Sequence, residues 1–143
     1  MKKKSIGLLV ILVIIIIGLI VQPFLIPKDF KSILDIDFTK VDKILMSSGN
    51  YGKTVEITDK DKIEEFLNQF ENTKVKKIFS KSKNRGYCLE ARLFINDKKV
   101  VSFDYGYDRI TIYKNDKETK YISNTNIDID KINEIEIKYN LKN

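Results

Sequence analysis

Residues 87–105 read YCLEARLFINDKKVVSFDY, two alternating runs joined by Asn96-Asp97. Tyr87, Leu89, Ala91, Leu93 and Ile95 fall on one face of the first run, and Val101, Phe103 and Tyr105 share a face of the second. A period of two is that of a strand with one side buried. Asn-Asp suits the two-residue turn of a hairpin, because both residue types tolerate positive φ. The pattern then repeats: residues 109–113 form a further run, and Asn115-Asp116 turns it into residues 118–123. Strands in tight succession predict an antiparallel sheet.

Upstream, Ile63, Phe66, Leu67 and Phe70 recur at i, i+3, i+4 and i+7, so residues 60–72 are predicted to form a helix with one apolar stripe. Thr58 or Asp59 is its cap, and Asp59 and Asp61 suit the positive end of the helix dipole. Before it, residues 43–48 and 53–58 read as a hairpin around Gly49-Asn50-Tyr51-Gly52. Residues 128–139 fit either a helix (Ile132, Ile135, Tyr139) or a strand (Ile135, Ile137, Tyr139, Leu141); helix is preferred, capped by Asp128 or Asp130. The order is β-β-α-β-β-β-β-β-α, an α+β domain with one or two helices covering one face of the sheet.

Thr54-Val55-Glu56-Ile57-Thr58-Asp59, leading into Ile63, Phe66 and Leu67 and then into a lysine-rich stretch and short hairpins, resembles a group of small extracytoplasmic domains. These domains are membrane-anchored or lipid-anchored, come from low-GC Gram-positive bacteria, and are mostly of unknown function. The resemblance covers the order of elements over most of residues 41–139. It implies a location and a fold and no activity. The chain departs from the lipid-anchored members in lacking the anchor Cys, since its single Cys is Cys88.

The amino-terminal end carries a different signal. Residues 6–26, IGLLVILVIIIIGLIVQPFLI, follow Met1-Lys2-Lys3-Lys4 and lack any ionisable side chain. At 1.5 Å per residue they reach about 31 Å, the thickness of a bilayer's hydrocarbon core. A cleaved signal peptide has a shorter core and a small-x-small site. No Ala, Ser, Gly or Cys lies between Leu19 and Lys31, so an uncleaved anchor is expected. Lysine counts on the two flanks differ little, and orientation is decided by the short tail, which stays behind while the chain is threaded across. The division is therefore a cytosolic tail (1–5), a transmembrane anchor (6–26), a juxtamembrane connector (27–41) with a helical turn near Phe30 to Leu34, and an extracytoplasmic domain (42–143).

Composition narrows the chemistry. Taking Lys2, Lys3 and Lys4 from the net charge of +6 leaves +3, a mixed surface that does not point to nucleic acid. The chain has no His and one Cys. A His-assisted nucleophile and a Cys/His zinc site are therefore not expected, and neither is a cofactor. The reading is a binding or interaction module and not an enzyme, with an accessory subunit of an envelope complex and an enzyme built on carboxylates as the alternatives. Cys88, between Tyr87 and Leu89, reads as a packing residue. Asn126, Asp128 and Asp130 alternate as calcium ligands do, but the Gly and Glu of a calcium loop are missing in either register.

Two candidate contact surfaces remain. Lys74, Lys76, Lys77, Lys81, Lys83 and Arg85 occur with no acid between Glu71 and Glu90. Such a run suits an anionic lipid surface or wall polymer, or else it is a solvated loop that guards a sheet edge. Phe103, Tyr105 and Tyr107, with Asp104 and Asp108 between them, form either an aromatic patch for a sugar or partner, or a packed hairpin. The expected partners are the membrane itself and another envelope component.

Overall fold

The structure is a computed structural model that describes residues 2–79, 86–106, 109–123 and 129–142. In chain order the elements are helix α1 (Lys2–Leu25), strand β1 (Lys28–Asp29), helix α2 (Phe30–Leu34), a 3-10 turn (Phe38–Lys40), strands β2 (Lys43–Ser48) and β3 (Thr54–Ile57), helix α3 (Lys60–Asn68), strands β4 (Lys74–Lys77), β5 (Leu89–Ile95), β6 (Lys98–Tyr105), β7 (Ile110–Lys114) and β8 (Lys117–Ser123), and helix α4 (Ile129–Lys138). From residue 43 onward this is the order expected from the sequence, an α+β fold, and residues 129–138 are helical.

Turn chemistry sets the middle of the sheet. Asn96 and Asp97 have φ of 50° and 59°, as do Asn115 and Asp116, so both pairs adopt the left-handed turn that matches the twist of a hairpin. Every strand pairing is antiparallel, and the sheet runs β1-β4-β8-β7-β6-β5-β2-β3. In the β2–β3 turn Gly52 has φ 64°, and Gly49 passes so close to the Tyr87 carbonyl that a Cβ there would lie 1.8 Å from its oxygen.

Register separates two faces. Ile44, Met46, Leu89, Ala91, Leu93, Val101, Phe103, Tyr105, Ile110 and Ile112 point to one side and are buried. Helix α3 joins β3, at one edge, to β4, next to the other, and so must cross this face. Phe66 and Phe70 meet Phe103 there at ring-centroid distances of 6.5 and 5.5 Å, and Phe30 approaches Phe103 edge-on at 5.0 Å. Burying each such ring is worth roughly 1.5–3 kcal/mol, and the edge-on arrangements suit aromatic quadrupoles.

Asp59 caps α3, its carboxylate accepting from the Asp61 and Lys62 amides. The helix ends at Asn68, four residues short of the expected end. Beyond it the amides of Gln69, Phe70 and Glu71 bond three residues back, a tightened last turn that still delivers Phe70 to the core. α4 ends in a Schellman motif: Asn140 has φ 56°, and the Leu141 and Asn140 amides bond the Glu136 and Ile137 carbonyls.

The segment after α1 is woven into this core. β1 pairs with β4, the Phe30 amide bonds the Thr73 carbonyl at 2.8 Å, and Phe30, Leu34 and Val41 are buried. α2 occupies the turn expected at those residues, and Asp35 ends it in the left-handed conformation. α1 itself projects from the domain. Its stretch Ile6–Leu25 has a mean hydropathy of 3.1 and contains no buried residue, and it is long and apolar enough to cross a membrane.

Candidate functional site

The strand positions that do not face the helices form a polar surface across the centre of the sheet. Cross-strand register lines up Ser47, Glu90, Asp104, Thr111 and Lys120 in one row, and Leu45, Arg92, Ser102, Tyr113 and Glu118 in the next. Ser47, Ser102 and Thr111 are small enough for the longer side chains around them to close over, and all three are buried. The result is a shallow groove of about 710 Å³, with Tyr87, Glu90, Ser102, Asp104, Tyr113 and Glu118 in its lining and Lys99 and Lys117 at its rim.

Its electrostatics centre on Asp104. The Tyr113 hydroxyl donates to Asp104 Oδ2 at 2.9 Å. Burial nevertheless pushes the Asp104 carboxyl above the usual carboxylate range, and the nearby Glu90 and Glu118 charges push the same way. Glu90 is held differently: Arg92 donates through Nε and Nη2 at 2.5 and 2.7 Å, a two-pronged ion pair. The groove thus offers Glu90, fixed from behind its lining by Arg92, and at Asp104 a carboxyl that holds its proton more tightly than usual. Such a surface hydrogen-bonds polar groups and repels apolar ones. Among the described residues no group of three or more His, Cys, Asp or Glu is placed to hold a metal ion.

The sequence reading follows the apolar half of each alternating run. It takes Asp104 only as a carboxylate flanking the aromatic patch, and it places Tyr87 on the Leu89 face, whereas Tyr87 precedes the strand and lines the groove. Glu90, Arg92, Ser102, Asp104, Thr111, Tyr113 and Glu118 are the other half of the same runs, and their convergence depends on pairings between strands.

The positions singled out from the sequence lie elsewhere. Phe103 and Tyr105 sit under the helices, Tyr105 meeting Phe70 edge-on at 5.7 Å, as in the packed-hairpin reading. Tyr107 lies outside the described residues, as do Lys81, Lys83 and Arg85. Lys74, Lys76 and Lys77 form β4, next to the short edge strand β1. Their neighbour Phe79 is exposed and stacks on Phe24 near the end of α1, centroid to centroid at 4.2 Å, and Lys77 Nζ lies 5.4 Å from the Phe24 ring. Asn126 and Asp128 of the weighed calcium pattern also fall outside the described residues.

An antiparallel sheet with helices on one side and a bare polar groove on the other defines an α+β class with its exposed polar groups on the uncovered face. Within that class the chain is similar to a crystal structure described as that of a "Putative Lipoprotein from Clostridium perfringens", at 21% identity and a TM-score of 0.50, over 78% of this chain and 93% of that one. The likeness is one of fold. Its source is a low-GC Gram-positive bacterium, the group to which the sequence resemblance pointed. No family model and no curated protein matches the chain.

Proposed function

We propose that the chain is a single-pass membrane protein whose domain faces outward and acts as a binding module, taking a polar envelope component in the groove on its open sheet face. One observation carries this reading: a bare polar groove on a domain joined to an exposed apolar helix of membrane-spanning length. The fold neighbour is described as a "Putative Lipoprotein". Here the only Cys, Cys88, is buried in the domain, so the helix takes the place of a lipid anchor. The groove is read as a binding surface, with Glu90 fixed by Arg92 and Asp104 held by the Tyr113 hydroxyl as its hydrogen-bonding groups. A place in a larger envelope complex is compatible with the same surface, the occupant then being a polar face of a partner subunit.

The test uses the full chain in lipid nanodiscs, titrated with a soluble digest of cell wall. Saturable binding is expected, and the combined change Glu90→Gln, Asp104→Asn and Glu118→Gln should weaken it at least about tenfold, the loss of one or two hydrogen bonds to charged groups. Equal binding by parent and variant, with circular dichroism unchanged, contradicts the reading.

A further inference from the structure

The contact between α1 and β4 fixes the depth of one edge of the domain relative to a membrane. In a span running from Ile6 to Leu25, Phe24 lies one residue from the outer end. That is the level at which the hydrocarbon gives way to headgroups and where aromatic side chains collect. Phe79 stacks on Phe24 at 4.2 Å with the rings 12° from parallel, so the two rings share that depth. Lys77 Nζ stands 5.4 Å from the Phe24 ring, Lys76 precedes it in β4 with its side chain on the other face of the strand, and Lys28 begins β1 three residues after Leu25.

We infer that this edge is a membrane-docking surface: Phe79 enters the outer interface of the bilayer that α1 spans, and Lys28, Lys76 and Lys77 rest on anionic lipid headgroups. The inference rests on the transmembrane reading of α1 and is independent of the groove. Chemistry supports the occupant. An exposed ring flanked by ammonium groups matches an interface that is apolar below and negatively charged above, where each lysine strengthens attachment roughly fivefold. A large apolar side chain left in water on the flank of a strand edge has no such return. The groove's open face then has a defined orientation, because the sheet edge is held at two points, the α1–β1 junction and Phe79.

The chain contains no Trp, so a single Trp reports its own depth. Three variants of the full chain, Phe79→Trp, Tyr51→Trp in the β2–β3 turn and Ile14→Trp in mid-span, are reconstituted in phosphatidylcholine vesicles with and without phosphatidylglycerol. Quenching is read with lipids carrying a nitroxide at shallow or deep acyl positions. The expected result is deep quenching at position 14, shallow quenching at 79, and none at 51. Phosphatidylglycerol should increase the quenching at 79, and adding Lys76→Ser and Lys77→Ser should abolish that increase. Position 79 unquenched with position 14 deeply quenched overturns the docking surface alone. Position 14 unquenched overturns the docking surface and the transmembrane anchor together. Shallow quenching at 79 indifferent to lipid charge and to the lysine changes overturns the headgroup contact.

Discussion

Ser48→Ala should destabilise the domain far more than a surface serine would, because Ser48 serves two elements at once. Its hydroxyl donates to Oε1 of Glu136, a carboxyl on α4 that is completely buried. The same oxygen accepts from the Asn50 and Tyr51 amides at 3.2 and 3.1 Å, holding the β2–β3 turn. Glu136 Oε2 has no hydrogen-bond partner among the described residues, so removing the Ser48 hydroxyl takes away the hydrogen bond that Oε1 accepts and leaves the carboxyl unsatisfied among those residues. A buried polar group left unsatisfied costs about 1–3 kcal/mol, and the two half-exposed turn amides add about 1 kcal/mol, giving roughly 3 kcal/mol. Glu136→Leu, which fills a similar volume without a carboxyl, should be near neutral. In that background Ser48→Ala should cost only the turn contribution, about 1 kcal/mol, so the coupling energy is about 2 kcal/mol. Urea unfolding of the full chain in detergent, followed by far-ultraviolet circular dichroism, measures all four corners of the cycle. Equal cost of Ser48→Ala in both backgrounds would show that the hydroxyl does not hold α4 to the hairpin.

Asp104 should make stability depend on pH. Its folded carboxyl titrates above its unfolded value of about 4, so the native state binds the proton more tightly, and this contribution is lost as pH rises from about 4 through the folded value. Asp104→Asn should therefore gain stability relative to the parent between pH 4 and 7 in urea titrations; a difference independent of pH would contradict the assignment. Gly49→Ala should destabilise by roughly 1–3 kcal/mol by urea midpoint, since its Cβ would meet backbone at Tyr87 and something must shift; an unchanged midpoint would mean that the β2–β5 approach is looser than described.

Elements whose signals are local were open to sequence reasoning. The two Asn-Asp turns, the α3 stripe with its Asp59 cap, and the helical turn at Phe30 are each written within a dozen residues, and each is present. Partners distant in the chain were not legible. β4 precedes β5 yet pairs with β8, and β2 pairs with β5 across more than forty residues, because closing the sheet over α3 governs the order. Lys28-Asp29 shows no periodicity, and only its place opposite Val75 and Lys74 makes it a strand. The groove was invisible for the same reason. Glu90, Asp104 and Glu118 lie fourteen residues apart along the chain, too far for a local signal, and become neighbours through three strand registers. Nothing local marks Glu136 as inward-facing, and only the docking of α4 buries it.

The central claim, an outward-facing domain on a membrane helix, meets its most direct test in the accessibility of one thiol. Cys88 is buried at 1% exposure, so the parent chain serves as an unreactive blank. Glu64→Cys on the exposed side of α3 adds a reachable thiol. In intact cells expressing the full chain, a membrane-impermeant maleimide should label Glu64→Cys fully and the parent not at all. Labelling of that variant only after the cells are lysed would place the domain inside and contradict the account.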